Sequence, residues 1–161
     1  MPIIRPATPE DADAACEIVR RSIVELCAED HLGDPMELQG WLANKTPANF
    51  TTWFRQLGLY GFIAEQDGTM TGVGLLAGSG EIMLLYVAPE ARFQGVSKAL
   101  LVAMEEQLRK LRKDFCSLTT TQTAKRFYLD RGYQLLEDED SLDDGFGLDA
   151  AGSMTKRLTG D

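Results

Sequence analysis

One stretch constrains this chain more than any other: Glu81 to Leu111, an apolar run followed by a glycine-bearing turn and a long amphipathic segment. Ile82 to Val87 is six apolar residues with a β-branched residue at each end, the pattern of a strand buried on both faces. Pro89 cannot donate to a sheet ladder and disfavours helix at Ala88, so the strand stops there. From Val96 an apolar stripe runs at helical spacing through Leu100, Met104, Leu108 and Leu111. Between strand and helix lies Arg92-Phe-Gln-Gly95-Val-Ser97-Lys98, where a helix start leaves N–H groups unpaired. Those amides and the helix dipole both favour negative charge, and Gly95 lets backbone approach a phosphate with no Cβ in the way. The segment is a candidate phosphate cradle.

The rest of the chain supplies elements around it. Ile3 to Arg5 reads as a short strand. Thr8-Pro9-Glu10-Asp11 opens a helix with an N-cap, a proline at the first helical position and acids in the first turn. Ala15, Ile18, Val19, Ser22, Ile23 and Leu26 mark its inner face. Short helices are expected over Met36 to Ala43 and after Thr46-Pro47, the latter with Phe50, Trp53, Phe54 and Leu57 inside and Gly58 at its end. Tyr60 to Glu65 and Met70 to Ala77 read as strands of a hairpin joined through Asp67-Gly68. After the long helix, whose basic end Arg109 to Lys113 suits a helix C-terminus, come a strand (Ser117 to Thr120) and a helix (Thr123 to Arg131) stopped by Gly132. Strands at Tyr133 to Leu136 and Ser153 to Leu158 flank a long acidic loop, Glu137 to Gly152.

A chain of 161 residues is one domain's worth, so 1–161 reads as a single domain, and 44% hydrophobic with 25% charged residues is ordinary for a globular protein. The first residues contain no apolar signal region and no run is long enough for a membrane span, so a cytoplasmic protein with no membrane partner is expected. Cys16, Cys27 and Cys116 are scattered and lack metal-ligand spacing, which reads as reduced buried thiols and no metal site. A net charge of −9 argues against nucleic-acid binding. It suits a cationic substrate as well as it suits mere solubility.

The motifs resemble one family. Arg92-x-x-Gly95-x-Ser97 after Leu85-Tyr-Val-Ala-Pro89 is similar to the acyl-CoA signature of the GNAT N-acetyltransferase superfamily, with Ser97 where Gly or Ala is usual. Thr121-x-x-Ala124-x-x-Phe127-Tyr128-x-x-x-Gly132-Tyr133 resembles its second block, Thr121 standing for the common Asn. Ile4-Arg5-x-Ala7-x-x-x-Asp11 and Met154-x-Lys156 resemble its opening and its last strand. The resemblance covers nearly the whole chain. It implies an α/β (α+β) fold, a central mixed, mostly antiparallel sheet of about seven strands flanked by about four helices.

It also implies the chemistry: acetyl-CoA as cofactor, and transfer of the acetyl group to a primary amine of a small molecule or peptide by direct attack on the thioester. The alternative is a non-catalytic acyl-CoA-binding or regulatory protein of the same fold. By the resemblance, the cofactor meets Leu85, Tyr86 and Val87 on the strand, Arg92, Phe93, Gln94, Gly95, Val96, Ser97 and Lys98 in the cradle, and Thr121 and Lys125 beyond it. Arg92, Lys98, Lys125 and Arg126 gather positive charge for a multiply anionic ligand. The strand begun by Glu81 is expected to splay from its neighbour, freeing the N–H of Val87 for the pantetheine arm and of Leu85 for the acetyl carbonyl. Tyr128 is the expected general acid and Glu81 a candidate base. His31, the single histidine, reads as a loop-surface residue. Glu29-Asp30, Trp41, Trp53, Phe54 and Tyr60 are candidate acceptor walls, though Trp53 and Phe54 at helical spacing with Phe50 also read as core. A homodimer is expected from family habit alone.

Overall fold

Seven strands form one sheet in the order β1-β2-β3-β4-β5-β7-β6 in a computed structural model, which describes residues 2–136 and 152–158. The strands are β1 (Ile3–Pro6), β2 (Leu59–Gln66), β3 (Thr69–Ala77), β4 (Glu81–Val87), β5 (Phe115–Thr120), β6 (Gln134–Leu135) and β7 (Gly152–Arg157). Every neighbouring pair is antiparallel except β4 with β5. The β2–β3 hairpin turns at Asp67 (φ 54°) and Gly68 (φ 78°), the two left-handed residues a tight hairpin needs. Helices α1 (Ala12–Leu26), α2 (Ala28–His31), α3 (Pro35–Leu42) and α4 (Pro47–Arg55) separate β1 from β2. The long helix α5 (Val96–Lys110) joins β4 to β5, and α6 (Gln122–Asp130) follows β5.

Strand alternation sets the two layers. Gly72 and Gly74 of β3 point to one face, where α5 lies; Val73 and Leu75 point to the other and are buried beneath α1. The stripe foreseen on α5 is what meets the glycines. A Cβ on Gly72 would sit 2.7 Å from Val96 and 2.9 Å from Leu100, and one on Gly74 3.2 Å from the Met104 sulfur. Two missing side chains therefore let α5 settle directly on the backbone of β3, fixing the height of its N-terminus above β4.

Three expectations change. Leu57 was placed inside, yet it is 96% exposed, because α4 ends at Arg55 and the backbone of Gln56 turns extended. The strand expected over Tyr133 to Leu136 shrinks to Gln134–Leu135, with Tyr133 kept as a buried core residue instead. The strand expected to be buried on both faces is not: Ile82 and Leu84 are buried, whereas Met83, Leu85, Tyr86 and Val87 are only partly so. The cause is on its β5 side. The acidic loop lies, up to residue 151, outside the described residues.

Candidate active site

β4 and β5 pair only at Glu81↔Ser117 and Ile82↔Leu118, then part. A bulge on the β3 side starts the divergence, since Leu75 pairs with Leu84 and Leu76 with Ile82, leaving Met83 unmatched. Beyond it the edge of β4 faces open space. Ala88 N–H bonds the Thr71 carbonyl of β3 at 2.8 Å. Because successive amides of a strand point to opposite sides, the N–H groups of Leu85 and Val87 then point away from β3, into the opening. These are the two amides singled out in the sequence.

The N-terminus of α5 opens onto the same space. Gly95 is its N-cap at φ 80°, no side chain caps the helix, and its first turn carries no acid. The first backbone bond is Ala99 N–H to Gly95. None of the six N–H groups from Phe93 to Lys98 donates to an acceptor among the described residues. A Cβ on Gly95 would meet nothing within 4 Å, so the glycine is required by its backbone angle and leaves the approach clear. Phe93 also takes a left-handed conformation, at φ 65°, and its exposed ring packs under the Arg92 guanidinium, 4.6 Å away.

A cleft of about 490 Å³ lies between this cradle, β4, the end of α1 and α6. Leu85, Tyr86, Val87, Arg92, Phe93, Gly95, Val96, Ser97 and Lys98 all line it. Gln94 instead turns its amide onto the Glu90 carbonyl at 3.3 Å. Lys125 is not in the lining, and Arg126 pairs with Asp130 at 3.3 Å on the exposed side. The face of α6 that meets the cleft is Thr123, Ala124, Phe127 and Arg131, a helical spacing that turns residues 125 and 126 away. The cation α6 contributes is thus Arg131, stacked 5.3 Å from the Phe127 ring, its Nε buried and without a hydrogen-bond partner. An unmatched buried donor costs about 1–3 kcal/mol, which an anion in the cleft would recover.

A chamber of about 60 Å³ continues between the parted strands, walled by Ile82 to Tyr86, Leu118 to Thr121, and Tyr128. It shares Leu85 and Tyr86 with the large cleft. Tyr128 is 6% exposed, its ring edge-on to Phe127 at 5.2 Å and Tyr133 at 5.5 Å. Tyr133 is itself pinned, donating 2.8 Å to buried Glu105, whose carboxylate Lys156 grips at 3.1 Å. Burial raises the Tyr128 phenol above its ordinary pKa, so it keeps its proton throughout the neutral range. Thr121 walls the chamber, but its Oγ1 is spent accepting from Ala124 N–H at 3.1 Å as the N-cap of α6. Glu81 lies at the closed end, one residue outside this lining.

A bridge from α2 holds the start of α6 beside these two spaces. Asp30 accepts from Gln122 N–H at 2.5 Å, and from Thr123 through its N–H at 3.1 Å and its hydroxyl at 2.5 Å. Thr121 walls the small chamber and Thr123 the large cleft, so the segment that Asp30 fastens contributes to both. Cys27, just before α2, lines the cleft; burial, with Asp30 nearby, pushes its thiol up to about 12 and leaves it no nucleophile at neutral pH.

A family model described as an acetyltransferase (GNAT) domain matches residues 34–148. The chain belongs to the GNAT acetyltransferase family. Its general chemistry is acyl-CoA-dependent acetyl transfer. Among solved structures, a GCN5-related N-acetyltransferase from Rhodopseudomonas palustris matches at 28% identity and TM-score 0.84, over 98% of this chain and 96% of that one. PaiA N-acetyltransferase from Thermoplasma acidophilum, solved with coenzyme A, matches at 19% identity and TM-score 0.80, over 98% and 99%. The ribosomal-protein-S18-alanine N-acetyltransferase from Escherichia coli matches at 18% identity and TM-score 0.69, over 100% and 96%. The likeness to the last two is one of fold. Among curated proteins, none matches the chain in sequence.

Several acceptor walls foreseen for this GNAT domain have other tasks. Asp30 is committed to the bridge, and the side chain of Glu29 lies outside the described part. Trp41 is 2% exposed and edge-on to His31 at 6.2 Å. Phe50 is fully buried, with Trp53 and Phe54 edge-on to it at 5.0 and 5.8 Å, as core residues are. His31 is not at the surface: it is 4% exposed, its Nδ1 accepts from Gly33 N–H at 3.0 Å, and its Nε2 meets the Ile23 carbonyl at 2.9 Å. The two contacts together require the neutral Nε2–H tautomer, with Nε2 donating. With both nitrogens engaged, the imidazole braces the α1–α3 turn and is no base.

Proposed function

We propose that this GNAT domain is an acetyl-CoA-dependent N-acetyltransferase that transfers the acetyl group directly to a primary amine of a small molecule or peptide. The observation that carries the reading is the convergence of unpaired donors. The amides of the cradle and those of Leu85 and Val87 open onto the cleft and the adjoining chamber, which share Leu85 and Tyr86, and Tyr128 walls the chamber. The residues fit a diphosphate followed by a narrow arm. Bound acetyl-CoA would supply an acetyl group activated as a thioester.

The chain's own groups do the rest. Cradle amides, with Arg92 and Lys98 beside them, hold the diphosphate. Val87 N–H orients the arm. Leu85 N–H donates to the carbonyl oxygen as negative charge builds there, a contribution worth about 3 kcal/mol where the donor is pre-aimed. Tyr128 delivers its proton to the departing sulfur. Burial disfavours the phenolate, but it disfavours a thiolate in the same chamber equally, so the transfer is not made harder. Glu81, at the closed end, would draw off the amine's proton through water. The raised Cys27 thiol supports direct transfer rather than an acyl-cysteine route.

Titration calorimetry with acetyl-CoA, followed by thiol-release assays over a panel of amines, tests the reading. Replacing Tyr128 by Phe should lower kcat by about 100-fold or more with acetyl-CoA affinity unchanged. Undiminished turnover in that variant would remove Tyr128 from the mechanism.

A further inference from the structure

Tyr128 walls the chamber, yet nothing on its own helix aims it. Among the described residues no hydrogen bond holds its hydroxyl, so the direction of the O–H follows from where the ring lies. Two aromatic rings touch that ring. Phe127 belongs to the same helix and moves with it. Tyr133 lies beyond the helix: Gly132, at φ 94°, turns the chain back, and Tyr133 N–H returns to the Tyr128 carbonyl at 3.0 Å. The two tyrosine rings then meet edge to face, 5.5 Å apart.

Tyr133 is in turn fixed from two other elements. Its hydroxyl donates to Glu105 of α5 at 2.8 Å, and Lys156 of β7 reaches both Glu105 oxygens at 3.1 Å. Glu105 is only 5% exposed, so its carboxylate sits largely out of water. Burying such a pair is a poor route to stability, since apolar residues of the same volume commonly serve as well or better. What it supplies is a fixed position, because a hydrogen bond holds donor and acceptor to a narrow range of distance and angle. A phenylalanine would fill the same space and leave the ring free to slide. Glu105 also belongs to α5, whose first turn is the cradle. One helix thus carries both the donors for the cofactor and the anchor for the ring beside the acid. We infer, on the acetyl-CoA reading in which Tyr128 is the acid, that Tyr133 and Glu105 are positioning residues: through the Tyr133 ring they hold the Tyr128 hydroxyl in register with the cradle. Neither lines the chamber itself.

Tyr133→Phe removes one oxygen and keeps the ring, so it cuts the link to Glu105 with little threat to the fold. Thiol-release kinetics should show kcat lowered by about 10- to 100-fold, the scale set by a reacting group displaced by up to about 1 Å. Calorimetry should find acetyl-CoA affinity within about twofold of wild type. A double-mutant cycle decides between positioning and general damage. In a Tyr128→Phe background the same change should lower kcat no further, because no acid is left to misplace. Glu105→Gln still offers Tyr133 an oxygen and should lose less than Tyr133→Phe. An equal fall in kcat with and without the Tyr128 hydroxyl would overturn the inference, and so would wild-type kcat in Tyr133→Phe. A second readout needs no acceptor. In NMR spectra of the protein with isotope-labelled tyrosine rings, Tyr133→Phe should broaden or split the Tyr128 signal and leave that of Tyr60 in place. A single sharp Tyr128 signal in that variant would overturn the inference too. A wild type that releases no thiol with any amine would instead sink the transferase reading, with the ring signal still judging how Tyr128 is held.

Discussion

Two helices begin at this site, and their first turns are treated in opposite ways. α5 starts on a bare glycine, with no capping side chain and no acid, and its amides face the cleft. α6 starts under a double seal: Thr121 takes Ala124 N–H, and Asp30 takes the amides of Gln122 and Thr123. Both N-termini attract negative charge to the same degree. What distinguishes them is whether the protein satisfies that demand itself. Where it does, the helix becomes a fastening point; where it does not, the helix becomes a binding site.

The contrast can be broken from either side. Giving α5 its own carboxylate, by Ser97→Asp, should cost acetyl-CoA affinity on the order of 100-fold, through repulsion of the diphosphate and competition for the amides. The same change should raise Tm slightly, because an acid in the first turn stabilises a helix by about 0.3–1 kcal/mol. Calorimetry and a thermal melt would read both signs, and a loss of Tm would show that Ser97 has a different role.

Unsealing α6 is the converse. Asp30→Ala removes charge-assisted hydrogen bonds and leaves amides exposed, at a cost of about 2 kcal/mol, or roughly 4–8 °C in Tm for a chain of this size. An unchanged melt would mean that the bridge holds nothing. A third helix entry sharpens the comparison at smaller scale. Asp11 accepts from Thr8 N–H at 2.8 Å and pairs with Arg5 at 2.8 Å, and the Arg5 hydrogen bonds pull its carboxyl pKa down to about 2. A depressed pKa gives stability that is present above the unfolded value near 4 and is lost as pH falls toward 2. Wild type should therefore melt above Asp11→Asn at pH 7, with the gap closing by pH 2. The pair is partly screened by water, so this gap should be the smallest of the three.

The open helix was legible in the sequence and the sealed one was not. Gly95, Pro89 and the stripe from Val96 are local signals, each tied to its own backbone, and they placed strand, turn and helix correctly. Asp30 meets residues 92 and 93 positions away, from a segment with no periodicity. Nothing in its neighbourhood marks it as a cap for another helix. Arg131 was hidden for a related reason: residues 125, 126 and 131 are all basic, and only the rotation of α6 decides which faces the cleft. His31 shows the limit for single polar residues, since its burial depends on turns at Leu32 and Gly33 whose positive φ angles no pattern announced. The strand at Ile82 misled through its composition. An apolar edge bared toward a cleft looks, in sequence, like an apolar edge paired in a sheet.

The narrowing from cleft to chamber also gives the site a direction of traffic. A ligand reaching from the cleft of about 490 Å³ into the chamber of about 60 Å³ passes along Leu85 and Tyr86, so it enters lengthwise, slender end leading. The adenosine end is too broad to follow, and stays at the outer mouth. Departure reverses the route, the spent carrier backing out past the cradle. Each turnover then includes the time needed to withdraw the long carrier.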